Sequence, residues 1–295
     1  MCAGSSQLRA VAVTSLWSGA VAPVGVAIPV RAGWTFEPIV VLALVAYVAL
    51  YVARWRRARA QGGARAAPVG RLVLWCTGVL TLFAALVSPI DELGEQLASL
   101  HMVQHLLIAD IAPICLTLGL TKWILRPITR RIHRIERAAG PFGHPAFGVV
   151  AYVGAMWLWH VPALYDAALR HPIVHTLEHL SFGGAGLLYW WHLLSPIRSR
   201  LRLGGLGPPL YMASTKLIVG FLGILLAFSP DLLYSFYDSG GTRWGLSALD
   251  DQHVAGLIMA LEQSIVMGIA LAYLFARMLA ESEEEDRRAE RYGAA

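Results

Sequence analysis

The stretch HMVQHLLIADIAPICLTLGL, residues 101–120, decides the fold class of this protein. Apart from Asp110, two histidines and a few small polar residues, it is apolar over about 20 residues, the length that crosses the hydrocarbon core of a bilayer. The whole chain has the same bias: 57% of its 295 residues are hydrophobic and 15% are charged, whereas a soluble domain carries about a quarter charged residues. The sequence therefore predicts an integral membrane protein.

Apolar windows of this length recur along the chain and predict an all-α fold, a polytopic bundle of seven transmembrane helices. The predicted spans are 36–54, 71–89, 98–120, 146–164, 173–194, 209–229 and 252–276. Residues 35–278 form the predicted membrane domain. Residues 1–34 are interpreted as an external tail or a weak signal-like segment, and residues 279–295 as a charged cytoplasmic tail.

The distribution of positive charge predicts the orientation. Most of the 24 Lys and Arg residues fall in the connections after the first, third and fifth spans and in the C-terminal tail. Such segments stay on the cytoplasmic side, so we expect an external N-terminus and a cytoplasmic C-terminus. The net charge of +5 is then a topology signal, and no nucleic-acid partner is predicted. Residues 122–138 alternate Ile and Arg at helical spacing, which predicts an amphipathic helix lying on the bilayer.

Histidines are concentrated at one depth of this predicted bundle. The motif H-x-x-[Q/E]-H occurs at 101–105 and again at 175–179, and residues four apart share one face of a helix. Polar residues inside a span face the bundle interior and are functional-site candidates. The predicted metal or haem ligands in the outer half are His101, His105, His160, His175, His179 and His253, together with Met156, which lies four residues before His160.

The neighbouring side chains suggest the chemistry of the site. Imidazole suits zinc, copper, iron and nickel, and a thioether adds a preference for Cu(I). Gln104 and Glu178 lie beside the histidines and are predicted to orient their rings as hydrogen-bond acceptors, and Asp251 adds an outer carboxylate. The three cysteines show no ligand spacing, so a thiolate site is not predicted.

A second polar layer is predicted closer to the membrane centre. It consists of Asp110 in the third span, Lys216 in the sixth and Glu262 in the seventh. Two interpretations remain open: an internal salt bridge that locks the bundle, or a relay for protons or ions.

Four motifs, taken in order, carry a family resemblance. They are HMVQH at 101–105 followed by Ala112 and Pro113, WLWHVPALYDA at 157–167, HTLEHLSF at 175–182 and DQHVAG at 251–256. This series resembles the CtaG family of assembly factors for caa-type cytochrome c oxidases. The resemblance covers residues from about 36 to 276 and is specific as an ordered set rather than through any single motif.

The resemblance implies a non-enzymatic, seven-span protein of the bacterial plasma membrane that is needed for maturation of the oxidase. It implies copper, as Cu(I), as the metal handled by the histidines. The implied partners are the catalytic subunit of the oxidase and a periplasmic copper chaperone.

Three other functions are compatible with the residues. Two of the imidazoles could hold one haem b in a redox protein. The run HTLEH at 175–179 matches the H-x-x-E-H order of some zinc proteases, although Gln104 replaces the glutamate in the other copy and cannot act as a base. A copper or iron permease would use Asp110 and Glu262 as part of its path.

Overall fold

The computed structural model describes residues 26–197 and 203–293. Within these ranges the chain is helical, with isolated bridges such as that between Ala27 and Thr242 in place of strands. The helices are α1 Pro38–Ala66, α2 Val69–Leu86, α3 Pro89–Gly94, α4 Ala98–Leu106, α5 Ala112–Gly119, α6 Lys122–Leu125, α7 Thr129–Ala138, α8 Pro145–Trp159, α9 Pro162–Arg170, α10 Pro172–Leu194, α11 Gly207–Ala227 and α12 Ala248–Gly293. The all-α prediction is confirmed.

Five helical segments in the described ranges are long and apolar enough to cross a membrane: α1, α2, the run Ala98–Gly119, α11 and α12. Their outward faces are apolar, as shown by Ile39, Leu217 and Ile269, which are 82%, 75% and 69% exposed. Exposed apolar side chains of this kind are suited to contact with the lipid tails of a membrane. The protein is therefore a multi-pass membrane protein, while the prediction of seven spans with an external N-terminus stays a prediction.

Two predicted spans depart from this simple pattern. The fourth is broken, because α8 ends at Trp159 and α9 begins at Pro162 with an angle of 77° between them. Proline fixes its backbone and removes a donor, so the helix cannot continue through residue 162 in the same direction. Counted as one bent span, this pair is the sixth candidate. The fifth, α10, has 23 residues, enough to cross, but three histidines and Glu178 make it less apolar.

A π-helical turn, Leu107–Ile111, joins α4 to α5. It lies just before Pro113. Proline has no backbone N–H, so in a regular α-helix the carbonyl oxygen four residues earlier would have no hydrogen-bond partner. Gly186 of α10 packs directly on this turn, since a Cβ built there would lie 2.0 Å from the Ala109 carbonyl oxygen. Only glycine permits this approach. The contact fixes the height of α10 against the turn that follows α4.

The loops at one end of the bundle cover α4 and α10. Residues 26–37 run across this end: Ile28 donates to the Thr242 carbonyl at 2.8 Å, and the Thr35 hydroxyl donates to Asp91 at 2.7 Å. Of the predicted N-terminal tail, residues 1–25 lie outside the described residues. The predicted amphipathic segment forms α6 and α7, and its Ile135 side chain is 61% exposed. The predicted charged tail continues α12 as a helix to Gly293.

Candidate metal centre

Helices α4 and α10 bring two pairs of histidines into contact. The ring centroids lie 4.1 Å apart within the α4 pair, His101 and His105, and 4.2 Å apart within the α10 pair, His175 and His179. Across the two helices, His101 lies 5.6 Å from His175 and His105 lies 5.7 Å from His179. The repeated sequence motif therefore becomes a cluster of four imidazoles.

Glu178 lies at the centre of this cluster. Its Oε2 is 3.7 Å from His101 Nε2, and its Oε1 is 3.6 Å from His105 Nε2. The ligand atoms fall into two triads that share Glu178, one with His101 and His175 and the other with His105 and His179, each with all three atoms within 4.8 Å of one another. Ligand atoms about 2.1 Å from one ion are at most about 4.2 Å apart, so a small inward shift closes either triad on a metal.

The ligand atoms of this cluster are buried and lack hydrogen-bond partners within the described part of the chain. They are both ring nitrogens of His101 and His105, Nε2 of His175 and His179, and both oxygens of Glu178. His101 and Glu178 are each 0% exposed. Buried polar groups in proteins are nearly always paired, so a concentration of unpaired ones calls for an explanation. A bound cation would supply it for most of them, because each neutral imidazole offers one nitrogen lone pair and the carboxylate offers two oxygens to a metal.

Aromatic side chains surround the cluster. The Tyr165 ring lies 5.2 Å from that of His101 and stacks on Tyr234 at 3.8 Å, while Phe182 lies 4.3 Å from His105. Tyr237, from the same loop as Tyr234, donates to the Gly94 carbonyl at 2.8 Å. With this cover His101, His105 and Glu178 are buried, and electrostatic interactions are stronger in such an environment.

Two predicted site residues hold α4 in place, and their hydrogen bonds within the described chain go to groups other than the histidines. Asp251 accepts from the Ala98 backbone N–H at 2.6 Å and from the Ser99 hydroxyl, so it caps the N-terminus of α4. Gln104 donates to the Ala85 carbonyl at 2.8 Å and to Asp91 at 2.6 Å. The predicted role of Gln104, an acceptor for a histidine N–H, stays a prediction, because its Oε1 is buried and has no hydrogen-bond partner among the described residues.

The structure places His160, Met156 and His253 outside the two triads. His160 is buried, with Nδ1 2.6 Å from the Met156 carbonyl and Nε2 3.4 Å from the Met102 sulfur. His253 is only partly buried, and its Nε2 lies 2.8 Å from the Ser229 carbonyl. Of the six predicted histidines, four therefore form the cluster, His160 borders it and His253 contacts a loop.

The deeper polar layer is not a salt bridge in the described chain. Asp110 accepts from the Tyr152 hydroxyl at 2.6 Å and from the Trp190 indole at 2.9 Å. Glu262 accepts from the Gln263 amide at 2.6 Å. Lys216 is half-buried and forms no ion pair with either carboxylate in the described residues. The salt-bridge interpretation is thus not supported, because neutral donors hold Asp110.

Some residues of the site were missed in the sequence. Glu178 was predicted to orient a histidine, whereas its carboxylate oxygens belong to both triads of potential ligand atoms. Met102 and Tyr165 were not predicted at all. Met102 follows His101 directly and Tyr165 lies within the WLWHVPALYDA motif, so proximity to the histidines was the available signal.

Comparisons with known proteins give the family. Residues 49–281 match the family described as cytochrome c oxidase caa3 assembly factor, Caa3_CtaG. A protein of Mycobacterium leprae (strain TN) is 24% identical and one of Mycobacterium bovis (strain ATCC BAA-935 / AF2122/97) is 27% identical, and both are named as uncharacterized. Each alignment covers 87% of this chain and 42% of the relative, so the chain spans about two fifths of those proteins. No solved structure matches it.

The family match includes α4, α10 and the start of α12, and so contains every residue of the histidine cluster. The family resemblance predicted from the ordered motifs is confirmed. An assembly-factor family points to a non-catalytic role. The chain belongs to the CtaG family of cytochrome c oxidase caa3 assembly factors.

Proposed function

We propose that this protein binds copper at the histidine–glutamate cluster and delivers it to the catalytic subunit of a caa-type cytochrome c oxidase in the bacterial plasma membrane. The observation that carries the proposal is the set of unpaired ligand atoms between α4 and α10. A buried polar atom without a partner costs about 1–3 kcal/mol. One cation in each triad would pair most of these atoms at once.

The donor set suits a transition metal that is held and then released. Neutral imidazoles supply nitrogen lone pairs, and Glu178 supplies a negative charge that offsets the cation inside the bundle. Imidazole alone is compatible with copper, zinc, iron and nickel. Membership of an oxidase assembly family favours copper, which the protein would carry as cargo. A periplasmic chaperone is the proposed donor of the ion.

The exposure of the two histidine pairs suggests the side on which the ion leaves. His101 and His105 are buried, whereas His175 and His179 on α10 are partly exposed. Leu177 and Leu180 of the same helix are 54% and 66% exposed and face the lipid. A partner subunit in the same membrane would therefore approach α10 laterally and exchange ligands with His175 and His179 first.

The alternative centres fit this geometry less well. A haem needs a pocket on the order of several hundred Å³, whereas the cavity that touches His105 has a volume of about 20 Å³. A protease requires its glutamate to reach a water molecule and a peptide. Glu178 is 0% exposed, and both of its oxygens face histidines.

Ion transport is the second candidate function, because the small cavity beside His105 also reaches Asp110 and Glu262. A permease would move copper into sealed vesicles at a rate that Asp110→Asn and Glu262→Gln reduce. An assembly factor would bind copper without accumulation in the vesicle lumen. Uptake that exceeds the amount of protein-bound metal would favour transport.

The proposal is tested in cells that lack the chromosomal copy of this chain. Complementation with a variant carrying His101→Ala, His105→Ala, His175→Ala and His179→Ala is expected to leave the oxidase without copper-dependent activity. The matched control removes four other histidines, His133, His144, His171 and His192, and is expected to restore activity. Full oxidase activity with the first variant, present at the control's level in the membrane, would refute the proposal.

A further inference from the structure

A second group of metal donors lies beside the histidine–glutamate cluster. It lines a cavity of about 20 Å³, room for roughly one water-sized particle. His105 belongs to both the cluster and this cavity. The other polar and sulfur-bearing side chains of the lining are Met102, Met156, Met259, His160, Asp110, Glu262 and Gln263.

The orientation of His160 is the first argument for a ligand here. Its Nδ1 lies 2.6 Å from the Met156 carbonyl oxygen, which can only accept, so Nδ1 carries the proton. Its Nε2 then has a lone pair, and this atom lies 3.4 Å from the Met102 sulfur. A thioether has no hydrogen to donate. Two electron-pair donors therefore face each other, an arrangement that a cation would bridge.

The sulfur atoms give the second argument. Met102, Met156 and Met259 come from three different helices, α4, α8 and α12, and are 4%, 5% and 7% exposed. Methionine commonly fills irregular gaps in a core, which explains one such side chain. Packing does not explain why three thioethers converge with the free nitrogen of an imidazole. Soft sulfur ligands select Cu(I) over Zn(II).

The carboxylates supply the third argument, which concerns charge. A cation buried in a membrane bundle needs a nearby negative group. Glu262 lines this cavity, and its Oε1 is buried and unpaired among the described residues, whereas the oxygens of the neighbouring Asp110 accept from Tyr152 and Trp190. A monovalent ion fits this environment with fewer compensating charges than a divalent one.

We propose that Met102, Met156, Met259 and His160 form a second metal site that is selective for Cu(I). The inference rests on the proposed copper-handling function and adds a separate ion position to it. The outer triads take the ion through imidazole and carboxylate, and the thioether site holds it in the reduced state. His105, shared by both, is the residue through which an ion passes between them.

The test is an anaerobic Cu(I) titration of the full-length protein in detergent against a chromophoric Cu(I) chelator, with a parallel Zn(II) titration. The variant Met102→Leu/Met259→Leu conserves volume. It is expected to lose one equivalent of Cu(I), or at least tenfold in affinity for it, and to bind Zn(II) like the wild type. Met212→Leu is the matched control, because Met212 is a buried core residue outside the cavity and is expected to change neither titration.

X-ray absorption separates the two sites. The variant that replaces the four cluster histidines by Ala is expected to retain one Cu(I) with sulfur neighbours, a signal that Met102→Leu/Met259→Leu abolishes. Unchanged Cu(I) binding in the methionine variant, with normal Zn(II) binding showing an intact fold, would overturn the second site and leave the outer cluster standing. Loss of sulfur-coordinated copper in the methionine variant alone upholds it even where the cluster binds no copper.

Discussion

Two buried carboxylates on facing helices of this bundle have opposite surroundings. Asp110 is 1% exposed and accepts hydrogen bonds from Tyr152 and Trp190, whereas Glu178 is 0% exposed and accepts none within the described structure. A paired carboxylate inside a bundle stabilises one arrangement of helices. An unpaired carboxylate among four imidazoles adds no hydrogen bond to the fold and contributes to stability when it binds a cation. The comparison separates a residue that holds the fold from a residue kept for a ligand.

The largest expected difference concerns copper affinity. Glu178→Gln removes the charge shared by both triads, and we expect at least about a 100-fold loss of affinity, since even residues that only orient a ligand contribute about 10–100-fold. Asp110→Asn is the matched carboxylate replacement and is expected to leave cluster affinity within about threefold of wild type. Competition titrations with a chelator of known affinity measure both. Equal losses of copper affinity in the two variants would show that Glu178 and Asp110 do not differ in this way.

The next effect is stabilisation by the metal. At a free copper concentration of about 100 times Kd, binding to the folded protein adds about 2.7 kcal/mol to its stability. We therefore expect a clear rise in the thermal midpoint of wild-type protein in detergent and a smaller rise for Glu178→Gln, in which only the thioether site binds copper. The Asp110→Asn variant should show the wild-type rise from a lower starting midpoint. A rise in Glu178→Gln equal to that of wild type would contradict the assignment of Glu178 as a ligand.

A smaller effect on stability is expected when Asp110, the paired carboxylate, loses one of its donors. Tyr152→Phe removes one of the two donors to Asp110 and should cost about 1.5–3 kcal/mol, the range for hydrogen bonds to charged groups. The copper stoichiometry should not change. Tyr273→Phe is the control, because the Tyr273 side chain is 54% exposed toward the lipid. Thermal unfolding and metal analysis of the same samples check the two readouts together.

The smallest effect concerns the cap of α4. Asp251→Ala removes the acceptor for Ala98 N–H and the Ser99 hydroxyl and should cost about 1 kcal/mol. We expect a lower midpoint and at most a few-fold change in copper affinity, because Asp251 supports the helix that carries His101 and His105. Asp286→Ala, on the exposed end of α12, is the control. An affinity loss as large as that of Glu178→Gln would instead make Asp251 a ligand.

Much of the architecture could be predicted because hydropathy and i, i+4 spacing are local properties. Both paired histidine motifs were found this way, and α4 and α10 present them on facing surfaces. The break between Trp159 and Pro162 was missed because the hydropathy of the segment stays high across it. The predicted span in α10 shows the reverse: three histidines and Glu178 lower its hydropathy.

The centre of the site could not be predicted, because it depends on how the helices are rotated against each other. Glu178 enters between the histidines because Gly186, two turns later, lets α10 pack against the Ala109 carbonyl. His253 starts the seventh predicted span, yet its ring contacts the Ser229 carbonyl. The position of a residue along its helix follows from the sequence. The direction in which its side chain points around the helix axis depends on tertiary packing.

The central claim, that the four histidines and Glu178 bind copper, is tested most directly by metal analysis with a visible spectrum. The detergent-purified protein is loaded anaerobically with copper, and wild type is compared with the variants lacking the four cluster histidines or the four control histidines. We predict that wild type and the control variant bind equal, stoichiometric copper without a Soret band, and that the cluster variant loses the copper bound outside the thioether site. Equal copper in all three proteins, or a Soret band that only the cluster variant loses, would contradict the assignment.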